Sequence, residues 1–134
     1  MARQLGRIVL AAEAALALMV AGVAVRVLGA SRTTRLLGHP TPGAQRDSGT
    51  PAGPDARRIG RAVERVSRVL PWRPVCLPQA IATRAMLRRR GVPCDSHLGV
   101  MKTDPVTAHA WVTVGGTVVQ GAPVDHVKEL AVFR

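Results

Sequence analysis

Residues 71–80, which read PWRPVCLPQA, join a proline-rich approach to an apolar run that is predicted to be helical. Cys76 lies at or just before the first helical residue, and Pro78 suits the first turn because N–H groups there have no helical acceptor. A thiol at this position faces the positive end of the helix dipole and unpaired backbone donors, which favour the nucleophilic thiolate. The alternative is a buried structural thiol, since free cysteine is among the most buried residue types.

A histidine downstream favours the nucleophile interpretation of Cys76. The segment AHAWV at 108–112 places His109 at the opening of an alternating, β-prone run. A thiol and an imidazole that reach each other form the pair used in nucleophilic catalysis, in which the histidine takes the thiol proton. Cys94, the other cysteine, is predicted to be a structural thiol.

Five short motifs follow one another along the chain: LPWR at 70–73, CLPQA at 76–80, LRRRGVP at 87–93, LGV at 98–100 and AHAWV at 108–112. This ordered set resembles the lasso-peptide maturation proteases, transglutaminase-like cysteine proteases that remove the leader from a lasso-peptide precursor. The resemblance covers about residues 57–134. It implies a papain-like Cys–His–Asp triad, with Cys76 and His109 at the matching positions, and neither cofactor nor metal is expected.

The same resemblance implies an architecture and a set of partners. The fold is expected to be α+β: a small papain-like domain whose nucleophile helix packs on an antiparallel sheet, preceded by an apolar N-terminal helix. The expected partners are the precursor peptide, a separate leader-recognition protein that presents it, and a lasso cyclase that closes the released core peptide.

Composition limits the partners and the location. The 134 residues include 19 Lys+Arg against 8 Asp+Glu, a formal net charge of +11. This excess suits an acidic peptide or an anionic membrane surface. Nucleic acid is not expected, because the arginines are scattered and an aromatic content of 2% offers no stacking platform. Two cysteines make no disulfide framework, so a reducing cytoplasm is the expected location.

The N-terminal segment contains an apolar run from Ile8 to Val25 that only Glu13 interrupts, with arginines on both sides. A membrane anchor needs about 20 apolar residues, and a carboxylate in mid-span is costly. A signal peptide is disfavoured by Glu13 and by the missing secretory cysteine pattern. The third interpretation is a helix that docks on the rest of the protein, or that lies on a membrane surface through residues 8–28. Members of the resembled family often carry such segments, which favours this third interpretation.

The chain is predicted to have three parts: an apolar helical segment at 1–37, a Pro/Gly-rich linker at 38–54 and the protease domain at 55–134. The linker reads GHPTPGAQRDSGTPAGP and has no apolar periodicity. The domain opens with an amphipathic helix that Asp55 is predicted to cap and that Pro71 ends.

The Cys76 helix is predicted to continue to about Arg90, where Gly91 ends it. Strands are predicted at 96–101, 109–114 and 117–120. The tail from Val124 to Arg134 is left open between a further strand and a short helix. A nucleophile helix packed on a small sheet is the arrangement that the resemblance implies.

The third member of the site depends on the hairpin register. Gly115–Gly116 between two β-prone runs predicts a two-residue turn. An unbroken ladder then puts Gln120 opposite Trp111 and on the same face as His109. The resembled family has its aspartate in this neighbourhood, where this chain offers Gln120 or, if the tail folds back, Asp125. A Cys–His dyad, a triad completed by the Gln120 amide, and a weakened enzyme remain open.

The remaining site predictions concern substrate contacts. The backbone N–H of Cys76 is an uncommitted first-turn donor and is predicted to bind the oxyanion. Trp72 and Trp111 are assigned to the wall of the substrate site. A large apolar residue beside a catalytic face is more often a core residue, so the core alternative stays open for Trp111.

Two other function classes compete with the protease. Cys76, Cys94, His97 and His109 could form a structural zinc site, in which Cys94-x-x-His97 is a compact ligand pair. A non-catalytic, basic peptide-binding accessory protein is the other alternative.

Overall fold

The computed structural model of the protein describes residues 1–38, 52–72, 74–102 and 105–134. Over these residues the chain forms an α+β fold, in which helices pack against a four-stranded antiparallel sheet, and the predicted fold class is confirmed. Residues 39–51, which make up most of the predicted linker, lie outside the described residues.

The helices share one apolar core. Helix α1 spans Ala2–Leu28 and is followed by a short helix α2 at Ala30–Thr33 and a 3-10 turn at Thr34–Leu37. Helix α3 spans Pro54–Val69, and helix α4 spans Cys76–Arg89. Buried side chains from α1, α3, α4 and the sheet belong to a single cluster, so the N-terminal segment is part of the same packed unit.

Helix α3 begins one residue before the predicted cap, so the prediction for Asp55 is wrong. Gly53 is the N-cap, Pro54 opens the helix, and Asp55 lies in the first turn. Proline is favoured there because its ring fixes the helical φ and its missing N–H would have no partner anyway. The apolar stripe that the spacing predicted is present and buries Ile59 and Val63.

Helix α4 begins at Cys76, the position that the sequence indicated. It ends at Arg89, and Gly91 follows with a φ of +69°, the left-handed conformation that commonly ends a helix. Its buried residues Ala80 and Leu87 belong to the core.

The sheet has the strand order β3–β2–β1–β4, and all neighbouring strands are antiparallel. Its strands are β1 at Asp95–Met101, β2 at Thr107–Val114, β3 at Thr117–Gln120 and β4 at Val127–Phe133. The tail therefore forms a strand rather than a helix. Ala110 and Val112 of β2 belong to the core. Trp111 alternates with them and lies on the opposite face of the sheet.

The predicted register of the β2–β3 hairpin is wrong beyond its turn. The Gly115–Gly116 turn is present, and both glycines have positive φ. The two pairs nearest the turn are as predicted: Val114 with Thr117, and Thr113 with Val118. A bulge then leaves Val119 out of the ladder and sets Gln120 opposite Val112. Because side chains alternate along a strand, one extra residue turns Gln120 to the face opposite His109.

Gly60 allows α3 to lie directly on β3. A Cβ at this position would stand 1.7 Å from the carbonyl oxygen of Val119. Any larger residue would therefore push the helix away from the end of the strand, where Gln120 and Gly121 enter the site.

Helix α1 docks on α3 and α4 through a face of mostly small residues. Ala14, Leu18 and Ala21 are buried on this face. Glu13, the residue that interrupts the apolar run, forms a two-pronged ion pair with Arg90, with N–O distances of 2.9 and 2.6 Å, and Arg89 lies 3.1 Å away. The Arg90 hydrogen bonds hold the pKa of Glu13 below its ordinary value and raise the pKa of Arg90.

The opposite face of α1 exposes large apolar side chains at helical spacing: Leu5, Ile8, Val9, Leu16, Met19, Val20, Val23 and Val27. By length and composition, α1 is the one described helix that could cross a membrane. Its docked face and the Glu13 ion pair correspond to the interpretation in which the helix packs on the rest of the protein.

Candidate active site

Cys76 is the first residue of α4 and is half-buried. Its Sγ lies 3.8 Å from the carbonyl oxygen of Ala108, which accepts from the thiol. The N-cap is Val75, and among the residues that the structure describes no side chain caps the first turn of this helix. The backbone N–H of Cys76 is therefore not taken by a capping side chain, in keeping with the predicted oxyanion donor.

His109 lies on β2, one residue after the carbonyl that contacts Cys76. Its Nε2 is 2.6 Å from the carbonyl oxygen of Gly121. A carbonyl can only accept, so Nε2 carries the hydrogen in this contact and Nδ1 is left with a free lone pair. The tautomer that this contact selects can receive a proton on Nδ1.

Cys76 and His109 line the same open pocket, which has a volume of about 580 Å³. Helix α3 contributes Glu64 to the lining, α4 contributes Gln79, and Gly121 follows the last residue of β3. The structure thus brings together Cys76 and His109, the two residues that the sequence singled out, which are 33 residues apart in the chain.

Gln120 also lines this pocket, but its side chain contacts α4. Its Nε2 lies 3.3 Å from Oε1 of Gln79, whose own amide nitrogen donates to the Pro74 carbonyl at 2.8 Å. The predicted place of Gln120 was beside the His109 ring, where the Gly121 carbonyl contacts Nε2 instead. The bulge is the physical reason, since it turns Gln120 toward the helices. Asp125 is exposed and does not line the pocket within the described part of the chain.

Two residues of the pocket were missed by the sequence reasoning. Gly121 supplies the acceptor for His109, and its own N–H donates to Oε1 of Glu64 at 2.9 Å. Glu64 is separated from Gly121 by 57 residues and sits among arginines on α3. The one available signal was the negative charge of its side chain, since Glu64 is the only acidic residue in the second half of that arginine-rich helix.

The two tryptophans lie away from the pocket lining. Trp111 is stacked between His97 and His109, with ring centroids 5.1 and 5.8 Å away. Trp72 is 41% exposed and lies beside Gly22 of α1, where a Cβ would be 3.9 Å from its indole nitrogen. Trp111 therefore contacts the site through the His109 ring, whereas Trp72 faces the N-terminal helix.

The four residues of the zinc alternative are not assembled into one site. His97 binds Glu129 through Nδ1 and Thr113 through Nε2, the latter at 2.7 Å. Cys94 is buried, and burial raises the pKa of its thiol, which keeps it protonated and unreactive. No group of three or more potential metal-binding side chains occurs among the described residues.

Comparison with protein families agrees with this geometry. Residues 15–133 match the model of the transglutaminase-like superfamily. No curated protein and no solved structure matches the chain significantly. The superfamily includes cysteine peptidases and transglutaminases, both of which suit a helix-borne cysteine beside a strand-borne histidine. Because the match spans most of the sequence, the chain belongs to the transglutaminase-like superfamily.

Proposed function

We propose that this protein is a cysteine protease that removes the leader peptide from a lasso-peptide precursor. The observation that carries the proposal is the shared pocket of Cys76 and His109, in which the Gly121 contact leaves His109 Nδ1 free to accept a proton. The motif order along the chain supports the substrate class, and membership of the superfamily supports the reaction type.

The first half of the reaction follows from these roles. His109 Nδ1 takes the thiol proton, and the Cys76 thiolate attacks the scissile carbonyl carbon to form a C–S bond. The oxyanion that develops is stabilised by the backbone N–H of Cys76 at the helix N-terminus. The imidazolium then protonates the leaving amine as the C–N bond breaks, which releases the core peptide and leaves the leader as a thioester.

The second half regenerates the enzyme. Water gives a proton to His109 and attacks the thioester carbonyl. The C–S bond then breaks to release the leader carboxylate, and the imidazolium returns its proton to the Cys76 sulfur. The Gly121 carbonyl accepts from Nε2 throughout, so the ring keeps the same orientation in its neutral and charged forms.

The open pocket is suited to an extended peptide. It is wide, and it contains the charged residues Glu64 and Arg68 together with the polar Ser67. A pocket of this kind fits a peptide chain better than a small apolar ligand, which prefers an enclosed apolar cavity. The separate leader-recognition protein and the lasso cyclase remain the proposed partners, and no cofactor is part of the proposal.

We place this activity in the cytoplasm, at the surface of an anionic membrane. We favour a surface location over a membrane span because Glu13 of α1 binds charged residues of α4, which would have to enter the hydrocarbon with it. Its outer apolar face and the flanking Arg3, Arg7 and Arg26 instead suit a helix that lies along the interface.

The decisive experiment combines purified protein, the recognition protein and the precursor peptide, and identifies the products by mass spectrometry. The expected products are the leader with a free carboxylate and the core peptide with a free amine. An uncleaved precursor in the presence of bound recognition protein contradicts the proposal. Cleavage that persists with Cys76→Ala would show that this chain is an accessory protein rather than the protease.

A further inference from the structure

We propose that Glu64 is a positioning residue for His109 that acts through the backbone of Gly121, in the role that a side-chain carboxylate fills in a Cys–His–Asp triad. The proposal rests on the Cys76–His109 pair of the proposed function. It assigns the third element of the site to helix α3, far in sequence from either candidate that follows the histidine.

Two consecutive hydrogen bonds connect Glu64 to the imidazole. Oε1 of Glu64 accepts from the Gly121 N–H at 2.9 Å, and the Gly121 carbonyl accepts from His109 Nε2 at 2.6 Å. The Glu64 bond has a normal length for an N–H···O contact and is strengthened by the charge of its acceptor, whereas the His109 bond is slightly shorter than that range. The carboxylate therefore fixes one side of the residue whose other side orients the catalytic ring.

Gly121 is suited to transmit this constraint because its backbone is closely confined. It has a φ of +94°, and a Cβ would lie 2.6 Å from the Cβ of Trp111 and 3.0 Å from the carbonyl oxygen of Ala110. Any other residue would be strained in this conformation and would clash with β2. A residue held by strand β2 on one side and by Glu64 on the other has little freedom to turn its carbonyl away.

Helix α3 delivers Glu64 to this point through its contact with β3. Gly60 lies one turn earlier on the same face of the helix, and it is packed against the Val119 carbonyl. The next position on that face is Glu64, and the next residues along the strand are Gln120 and Gly121. The close helix–strand approach and the hydrogen bond at 2.9 Å are thus consecutive contacts of one interface.

The direct candidates do not reach the imidazole. The Gln120 side chain faces Gln79, and Asp125 is exposed outside the pocket lining. A carboxylate that acts through a backbone group can hold the ring angle and tautomer without touching the ring. The expected consequence of losing it is a ring that leaves the reactive geometry, for which a loss of about tenfold to a hundredfold in rate is typical.

The test measures the reactivity of Cys76 itself. Purified full-length protein is treated with iodoacetamide from pH 5 to pH 9, and alkylation is quantified by peptide mapping, which separates Cys76 from Cys94. We expect Glu64→Ala to reduce the alkylation rate of Cys76 at pH 7 at least tenfold and to move the midpoint of the pH–rate profile upward. Glu64→Gln keeps an oxygen that accepts from the Gly121 N–H, so it should stay within about threefold of wild type.

Matched variants separate positioning from other effects. Asp55→Ala removes a carboxylate from the exposed start of the same helix, so it should leave the profile unchanged. The inference is overturned if Glu64→Ala alkylates within twofold of wild type, or if Glu64→Gln is as impaired as Glu64→Ala. If His109→Ala matches wild type, the Cys–His pair fails and the Glu64 inference fails with it. If the Glu64→Ala profile is shifted but the wild-type protein does not cleave the leader, the positioning role of Glu64 stands and the proposed substrate class is rejected.

Discussion

The two ends of helix α4 show how one element can serve chemistry and assembly at once. At its N-terminus, Cys76 faces an open pocket, and no side chain in the described part of the chain caps the first turn. At its C-terminus, Arg89 and Arg90 bind Glu13 of the N-terminal helix, and Gly91 ends the helix. The end left uncapped is available to a substrate, whereas the paired end holds α1 in place.

The largest expected effect tests the N-terminal end directly. Cys76→Ala should abolish leader release and leave the fold intact, because it removes only the sulfur of a half-buried side chain. Cys94→Ala is the matched control and should retain cleavage, since that thiol is buried and held protonated. Mass spectrometry of the cleavage products checks both. If Cys94→Ala were inactive and Cys76→Ala active, the nucleophile would be Cys94 rather than Cys76.

Nearly as large an effect is expected from the partner of this thiol. His109→Ala should lower cleavage almost to the level of Cys76→Ala, and the double variant should be no worse, because the two residues act as a unit. His126→Ala changes an exposed histidine and should behave as wild type in the same assay. Normal cleavage by His109→Ala would remove the basis for treating the N-terminal end of α4 as a Cys–His site.

Gln120 offers a smaller, sharper test of the contact between β3 and α4. Gln120→Asp places a carboxylate where the side chain is 1% exposed and faces Gln79. We expect the free energy of unfolding to fall by about 1–3 kcal/mol, because the substitution buries a carboxylate and removes the donor to Gln79 Oε1, and we expect no gain in cleavage. Urea denaturation and the cleavage assay check this. Asp125→Ala is the control. Raised cleavage by Gln120→Asp would support the hypothesis that residue 120 acts directly as the third member of the triad.

Loss of the ion pair at the C-terminal end of α4 should affect the stability of the protein rather than its catalytic activity. Glu13→Ala should lower the free energy of unfolding by about 1–2 kcal/mol at pH 7, since it leaves Arg90 without its charged partner. The folded-state pKa of Glu13 lies below its ordinary value of 4.5, so this contribution is present above that pH and is lost as pH falls through the folded value. Urea denaturation at several pH values should show the two proteins converging in acid. A difference in the free energy of unfolding that stays constant with pH would exclude the ion pair as the cause.

The smallest effect on catalysis is expected on the outer face of α1. Val20→Glu puts a charge on a side chain that is 62% exposed, so folding and cleavage should be unchanged. Binding to vesicles that contain phosphatidylglycerol should weaken several-fold in a sedimentation assay, with Arg65→Ala on α3 as a control of equal charge change. Equal sedimentation of Val20→Glu and wild type would rule out this face as the membrane contact.

Local patterns predicted most of the architecture. The apolar spacing of α3, the proline-bearing start of α4 and the Gly115–Gly116 turn each depend on neighbours in sequence, and each is present. The proline-bearing helix start and the β-prone run mark Cys76 and His109 as site candidates from the sequence alone. Their presence in one pocket is an outcome of the helix–sheet packing.

The missed features depend on contacts between distant residues. A single bulged residue, Val119, reverses the face of Gln120, and no local signal distinguishes it from the other valines of the hairpin. Glu64 and Glu13 acquire their partners across 57 and 77 residues. Charge and composition can mark such residues as unusual, but only the packed structure shows what they bind.

The separation between Glu64 and Gly121 also bears on the protein during its synthesis. The pocket needs α3, the start of α4, β2 and the residue after β3, so it cannot exist until the ribosome has released the chain through Gly121. Every earlier nascent fragment lacks the acceptor for His109 Nε2. The thiol of Cys76 is thereby kept without the oriented histidine while the chain that carries it is still being made.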